Sequence, residues 1–288
     1  MDSRAGRSIG SRLASGGSRA VRGSRRDLRG MLRRISLAVG WFAAGCQTLP
    51  RTPPFEHQTH AGSVRARTEP EARSVALQAE EIAAMLRDGL GVPIEPRYSI
   101  YVLDEELTGP GAGVRVWRDR GGVTQRRIEI GRGIREEALP ATLVHELTHW
   151  YMTPPWDRLP VALEEGFADF VTLMLAPGSR PGRFERYRQV LSDPAWPDPR
   201  KLLSVTRREA PRVPRRVREK AYAIGYILTH KIGIDPLRQL CSRSGEAGFD
   251  QIPPDALLAS AGMSREQTAW LQALEVIVEE ELANGTGQ

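Results

Sequence analysis

The sequence predicts an α+β fold in which a small N-terminal β-sheet is followed by a mainly helical C-terminal part. Between residues 97 and 130 the apolar side chains fall in short β-rich or alternating runs. From about residue 137 onward they recur at helical spacing instead. The chain has 288 residues, of which 40% are hydrophobic and 26% charged. This composition is typical of a globular protein and excludes a polytopic membrane protein or a wholly disordered chain.

The first 30 residues are predicted to be disordered, because they hold eight arginines and almost nothing apolar. An over-extended start, with translation beginning at Met31, explains such a segment; a genuine basic tail before an uncleaved anchor is the alternative. Residues 46–288 carry a net charge of −2, although the whole chain carries +6. The basic character therefore belongs to the leader, and we expect no nucleic-acid partner.

Residues 31–45 are predicted to be a signal peptide of the lipoprotein type. Two arginines precede an apolar run, and Ala43-Ala44-Gly45 stand before Cys46, as in a bacterial lipobox. We therefore expect an exported lipoprotein that is acylated at Cys46 and anchored to a membrane, facing the periplasm or the cell surface. Residues 46–70, with four prolines after Cys46, are predicted to be a tether, and residues 71–288 the folded domain.

The elements of the domain are predicted from periodicity. A helix is expected over 71–88, a strand over 97–103, and a hairpin from the alternating runs 114–118 and 126–130. Helices are then expected over 137–152, 160–175, 183–191, 215–231, 235–243 and 264–283, with proline-rich breaks between the earlier ones.

The informative motif is His145-Glu146-Leu-Thr-His149, an HExxH sequence inside a helical pattern. A spacing of four places both imidazoles on one helical face, so that both can reach one metal ion. Glu146 is placed instead to hold a water molecule on the metal and take its proton. Zinc suits neutral imidazoles combined with a carboxylate, and we expect one Zn²⁺ per chain.

The helix predicted over 160–175 offers Glu165 as the third ligand. Asp169 lies four residues further on, on the same face, where it can accept a hydrogen bond from a ligand histidine. Glu164 is the rival ligand. The apolar stripe of Leu163 and Phe167 favours Glu165, and it predicts that Glu164 falls elsewhere.

These two stretches, HELTH and LPVALEEGFADF, resemble the gluzincin metallopeptidases of the peptidase MA-like group. The resemblance covers roughly residues 95–245 and implies a zincin-like fold with a peptide or protein substrate. It implies zinc ligation by His145, His149 and Glu165, with Asp169 supporting a ligand. It also implies that an edge strand within 114–130 receives the extended substrate. The stretch between His149 and Glu165 is short for the larger aminopeptidases of this group, which favours endopeptidase action.

The implied reaction is hydrolysis of a peptide bond by a metal-activated water with Glu146 as general base. Tyr222, in the stretch that resembles the group's later helix, is expected to donate to the oxyanion; a packed helix residue is the alternative. Tyr226 and His230 are the fallback candidates. A basic run over 207–220 either flanks the cleft or forms a solvated surface. The alternative function is a non-catalytic zincin-fold scaffold or chaperone of the envelope.

Overall fold

The computed structural model describes residues 52–91, 97–104, 111–118, 124–152, 156–206 and 209–285. The predicted disordered segment, the signal peptide and Cys46 lie outside these residues. Five strands form one sheet: β1 (Phe55–Gln58), β2 (Gly62–Ala66), β3 (Tyr98–Leu103), β4 (Ala112–Arg118) and β5 (Thr124–Gly131). Their order is β1-β2-β3-β5-β4. The β2–β3 and β3–β5 pairs are parallel, and β4 pairs antiparallel with β5 at one edge.

Nine helices are described. They are α1 (Glu69–Leu90), α2 (Leu139–Tyr151), α3 (Val161–Leu175), α4 (Arg180–Leu191), α5 (Pro199–Leu203), α6 (Arg215–Ile232), α7 (Ile234–Glu246), α8 (Pro254–Ala261) and α9 (Gln267–Gly285). Short 3-10 turns precede α2, α3, α4 and α6. A small sheet followed by a helical part confirms the broad α+β prediction. Within the described residues, no helix combines the length and apolar character needed to cross a bilayer.

The helix α1 shows how the local sequence defines an element. The Thr68 side chain caps its first turn by accepting a hydrogen bond from the Glu71 amide, and Gly91 ends it in the left-handed conformation. Val75, Ala79 and Ile82 lie on its buried face. This face packs on β1, β2 and α2, and the buried apolar core continues from there into the C-terminal helices.

The tether prediction was wrong from Phe55 onward. Residues 55–66 form β1 and β2, and β2 pairs with β3 inside the sheet. The burial of β2 alternates strictly, with Val64 and Ala66 fully buried. The prolines before Phe55 favoured a tether for the whole stretch, so the short alternating run of β2 was not predicted to be a strand. Gly62 is required in β2, because a Cβ there would lie 2.3 Å from the Tyr98 ring.

The C-terminal part is organised around α6, which packs against α3, α4, α5, α7, α8 and α9. All predicted helices occur, most with shifted ends; for example, the last one begins at Gln267 rather than at residue 264. Two short helices, α5 and α8, were not predicted. Each has a proline in its first turn. In a sequence, such a proline indicates a break between helices as readily as the start of a helix.

Candidate metal centre

Helix α2 carries the two histidines of the HExxH motif and fixes their position through its buried face. Leu143 and Leu147 are fully buried in the core, which turns His145 and His149 toward the opposite side. The two Nε2 atoms lie 3.1 Å apart. The imidazole rings meet edge to face, with their centroids 4.8 Å apart. The predicted sharing of one helical face is therefore present in the structure.

Helix α3 brings Glu165 to the same point. Its Oε2 atom lies 3.6 Å from Nε2 of His145 and 3.7 Å from Nε2 of His149. Ligand atoms at the corners of a tetrahedron around zinc, with arms of about 2.0–2.1 Å, are roughly 3.4 Å apart. The three atoms thus have the spacing that a zinc ion requires. They form the one three-residue group of this kind within the described ranges.

The other ring nitrogen of each histidine faces a second carboxylate from α3. Asp169 Oδ1 lies 3.2 Å from Nδ1 of His145, as the sequence predicted. Glu164 Oε1 lies 3.4 Å from Nδ1 of His149. The prediction that Glu164 falls elsewhere was therefore wrong, although Glu164 is not one of the three converging ligands. With Nδ1 facing a carboxylate, each imidazole keeps Nε2 available for a metal.

Asp169 is in turn held by two residues of α4. The Tyr187 hydroxyl donates a hydrogen bond to Oδ2, and Arg183 Nη1 lies 3.1 Å from the same oxygen. Burial raises the pKa of Tyr187 well above its usual value, so this hydroxyl stays protonated and remains a donor. Sequence analysis missed both residues. They lie on a separate helix, and nothing in their own spacing points to Asp169.

The charges of the site favour a cation between the ligands. Burial lowers the pKa of His145, but hydrogen bonding to Asp169 and Glu165 outweighs it and raises the pKa to about 9. The pKa of Glu165 is held well below its usual range, since its bonding to the two imidazoles outweighs the effect of burial. The carboxylates thus attract positive charge to the point where the three ligand atoms meet. A dication bound at this point would balance the negative charge of the carboxylates and displace the imidazole protons.

Glu146 lies beside the ligands and lines the cleft, although the residue is only 7% exposed. Burial raises the pKa of its carboxyl, while the nearby imidazoles oppose this shift. A carboxylate whose pKa is raised is a stronger base than an exposed one. The sequence-predicted general base therefore has a suitable position and environment for proton transfer.

Tyr222 on α6 lines the same cleft, across from α2. Burial raises its pKa to about 12, the charge of Glu165 adds to this rise, and the neighbouring Arg218 opposes it. The hydroxyl is therefore protonated at neutral pH and can donate a hydrogen bond. The role of Tyr222 in oxyanion binding stays a prediction.

The two fallback candidates are placed differently. Tyr226 is 1% exposed and packs among Phe170, Phe184 and Tyr187. His230 lies beside this cluster, with Nε2 3.8 Å from Glu281 Oε1. Neither residue is among the described side chains that line the cleft. The helical face that Tyr226 and His230 share is a packing face.

The cleft in front of the ligands has a volume of about 1060 Å³. Its walls come from the start of β4, from α2 and α3, and from α4 and α6. Gly111 and Ala112, which line the cleft, stand where β4 begins, and β4 is the last strand in the described order of the sheet. Such an arrangement can hold an extended chain close to a metal and a base.

Comparison with protein-family models gives no match, and comparison with curated proteins finds no similar sequence. The described residues that build the site are three side chains that could hold a metal ion, two carboxylates that face the imidazoles, one buried carboxyl and one tyrosine hydroxyl: His145, His149, Glu165, Asp169, Glu164, Glu146 and Tyr222.

Proposed function

We propose that this protein is a zinc-dependent peptidase, acting as an endopeptidase. The observation that carries the proposal is the convergence of His145, His149 and Glu165 with Glu146 beside them at the base of an open cleft. A set of metal ligands with no base beside it would be consistent with a purely structural metal site. A buried base that is not a ligand, facing a cleft, is what hydrolysis needs.

The donor set supports zinc as the metal. Two imidazole nitrogens and one carboxylate oxygen are the ligands of catalytic zinc sites that keep a position open. A bound zinc ion supplies Lewis acidity, which lowers the pKa of water and polarises a carbonyl group. We also propose that the fold is zincin-like, since the sheet precedes the HExxH helix and the helix with the third ligand follows it, as the resemblance implies.

The chain's own residues divide the proton chemistry between them. Glu146 takes a proton from the attacking water and delivers it to the nitrogen of the leaving amine, so that the bond breaks without releasing an amide anion. Tyr222 donates a hydrogen bond to the carbonyl oxygen as negative charge develops on it. Asp169 and Glu164 hold the imidazoles in one tautomer throughout.

The edge of the sheet supports a peptide as the substrate. β4 lies at the end of the strand order, and its first residues line the cleft. An extended peptide can add to such an edge through main-chain hydrogen bonds. This mode of binding does not need a free terminus, which favours endopeptidase action.

The test is metal content and peptide cleavage by the purified protein, with Glu146→Gln and His149→Ala alongside. We expect one zinc per chain in the wild type and in Glu146→Gln, with cleavage of a broad peptide library by the wild type only. We expect His149→Ala to lose both zinc and cleavage. Absence of stoichiometric zinc in the wild type would refute the proposal, and zinc without cleavage would favour a scaffold.

We also propose that the enzyme works in the cell envelope, held by an acyl chain on Cys46. This proposal depends on the sequence of residues 31–46 alone. The expected mature chain begins at Cys46 and carries lipid, which intact-mass measurement of the membrane fraction detects. Replacement Cys46→Ser should release the protein from that fraction.

A further inference from the structure

Five described arginines line the cleft, and four of them are ion-paired. Arg135 pairs with Glu137 and Arg183 pairs with Asp169. Arg186 and Arg215 share the single carboxylate of Glu219. Two guanidinium groups on one carboxylate leave an excess of positive charge at this end of the cleft.

Arg218 is the fifth arginine, and it forms no ion pair with any residue in the described part of the chain. Its side chain is half-buried, and its Nε donor is buried without a hydrogen-bond partner there. A buried donor without a partner is costly, and native proteins usually satisfy such groups. The guanidinium forms a hydrogen bond with the Tyr222 hydroxyl, which is uncharged at neutral pH. Among the described residues, the guanidinium of Arg218 therefore has no anionic partner, although it lines the cleft.

The position of Arg218 fixes which part of a substrate it can reach. It lies four residues before Tyr222 on α6, so about 6 Å separates the two along the helix axis. Residues of an extended peptide are about 3.4 Å apart. If Tyr222 faces the scissile carbonyl, a group bound by Arg218 belongs to a residue one or two positions away.

We propose that Arg218 binds a carboxylate of the substrate within one or two residues of the cleaved bond, so that the enzyme selects acidic peptides. This inference rests on the proposed peptidase function. A guanidinium forms two parallel hydrogen bonds with a carboxylate, which a neutral amide cannot reproduce. The carboxylate comes from an Asp or Glu side chain or from the peptide's own C-terminus.

The test measures binding, so that it does not depend on turnover. The probes are fluorescent, end-blocked octapeptides in which one Glu is moved through each position, with a matched Gln set and one peptide with a free C-terminus. They are titrated into zinc-loaded full-length Glu146→Gln protein. We expect at least tenfold tighter binding of a Glu peptide than of its Gln partner at one or two adjacent positions. Preference for the free C-terminus alone would assign the carboxylate to the peptide end.

The matched variants are Arg218→Gln and Arg216→Gln in the Glu146→Gln background. Arg216 is exposed, lies on the same turn of α6 and does not line the cleft with the ligands. We expect Arg218→Gln to abolish the preference and Arg216→Gln to keep it. Zinc content checks that each variant retains the site. If Arg218→Gln does not fold, Arg218→Lys should show a preference reduced several-fold, because the paired hydrogen bonds are lost while the charge remains.

The outcomes separate this inference from the proposed function. Equal binding of Glu and Gln peptides overturns the inference, and so does equal loss of preference in both arginine variants. A wild type that cleaves both peptide sets alike supports the peptidase and overturns the acidic selection. A preference that depends on Arg218, in a protein that cleaves nothing, supports the carboxylate site and overturns the peptidase.

Discussion

Glu164 and Glu165 are neighbours in the chain, yet the structure gives them different partners. Glu165 faces the two Nε2 atoms of the histidines, and Glu164 faces Nδ1 of His149 from behind. Successive helix residues point about 100° apart. One helix can therefore supply both a ligand and a group that orients another ligand. The identity of each residue's partner decides what its loss should cost.

Replacement Glu165→Gln should abolish stoichiometric zinc binding, because it removes the charged ligand. Replacement Glu164→Gln should weaken binding by only about 10-fold to 100-fold, the usual cost of losing a group that supports a ligand. Competition with a chromophoric chelator measures both affinities. Equal losses in the two variants would contradict the assigned roles.

Glu146 should lower the stability of the folded protein at neutral pH. In an unfolded chain a glutamate ionises with a pKa of about 4.3. Burial raises the pKa of Glu146 in the fold. The folded state therefore binds the proton more tightly, and stability falls as pH rises from the unfolded pKa through the folded one.

In chelator-treated protein, Glu146→Gln should consequently unfold at a higher temperature than the wild type at pH 7. The difference should vanish below about pH 4, where the glutamate is protonated in both states. Calorimetry at several pH values measures it. A variant that is less stable than the wild type at pH 7 would show that the carboxylate stabilises the fold.

At the scale of elements, the crossing of α3 and α6 positions the two walls of the cleft. A Cβ added to Gly166 would lie 2.2 Å from the backbone of Gly225, and one added to Gly225 would lie 2.0 Å from the carbonyl oxygen of Ala162. The helices can approach this closely only because both residues are glycine. This contact fixes the distance between the ligands on α3 and Tyr222 on α6.

Replacement Gly225→Ala should separate the two helices. We expect a loss of roughly 1–3 kcal/mol in the free energy of unfolding, the usual cost of overpacking. Cleavage should fall while zinc is retained, because the ligands lie on α2 and α3 and only Tyr222 moves. Thermal unfolding, zinc content and kcat/KM measure the three effects.

Gly182→Ala is the control. Nothing lies within 4 Å of a Cβ at Gly182 in α4, so alanine should be neutral or stabilise by up to about 1 kcal/mol. Loss of zinc in Gly225→Ala, or an equal loss of stability in both variants, would contradict the role assigned to the crossing.

The sequence predicted those features that depend on the residue pattern within a single helix or hairpin. The periodic helices, the hairpin and the two histidines one turn apart follow from residues close together in the chain. The support of Asp169 by Tyr187 and the approach of Gly166 to Gly225 depend on how separate helices pack. The spacing of residues along the chain does not indicate this packing. β1 was missed for a different reason, because its four residues remain largely exposed and have no apolar pattern.

Across the chain as a whole, the proposed metal ligands join two helices, α2 and α3, that otherwise meet through side-chain packing. Anything that binds only the folded state stabilises it, by about 2.7 kcal/mol when free ligand is at 100 times Kd. For a domain of this size each kcal/mol shifts Tm by about 2–4 °C. Removal of zinc by a chelator should therefore lower Tm by about 5–10 °C.

This chelator effect should disappear in His149→Ala and persist in His230→Ala, which removes a histidine outside the described cleft lining. Scanning calorimetry with and without chelator measures each difference. Persistence of the full shift in His149→Ala would place the metal elsewhere.

The two strands that precede α1 also determine where a recombinant protein can be truncated. A chain beginning at Glu71 would lack β1, β2 and the Thr68 cap, and the N–H and C=O groups of β3 that pair with β2 would become an open edge. Open edges bind to one another and cause aggregation. A chain beginning at Thr52 keeps both strands. Nineteen residues at the amino end should therefore decide between a soluble product and inclusion bodies.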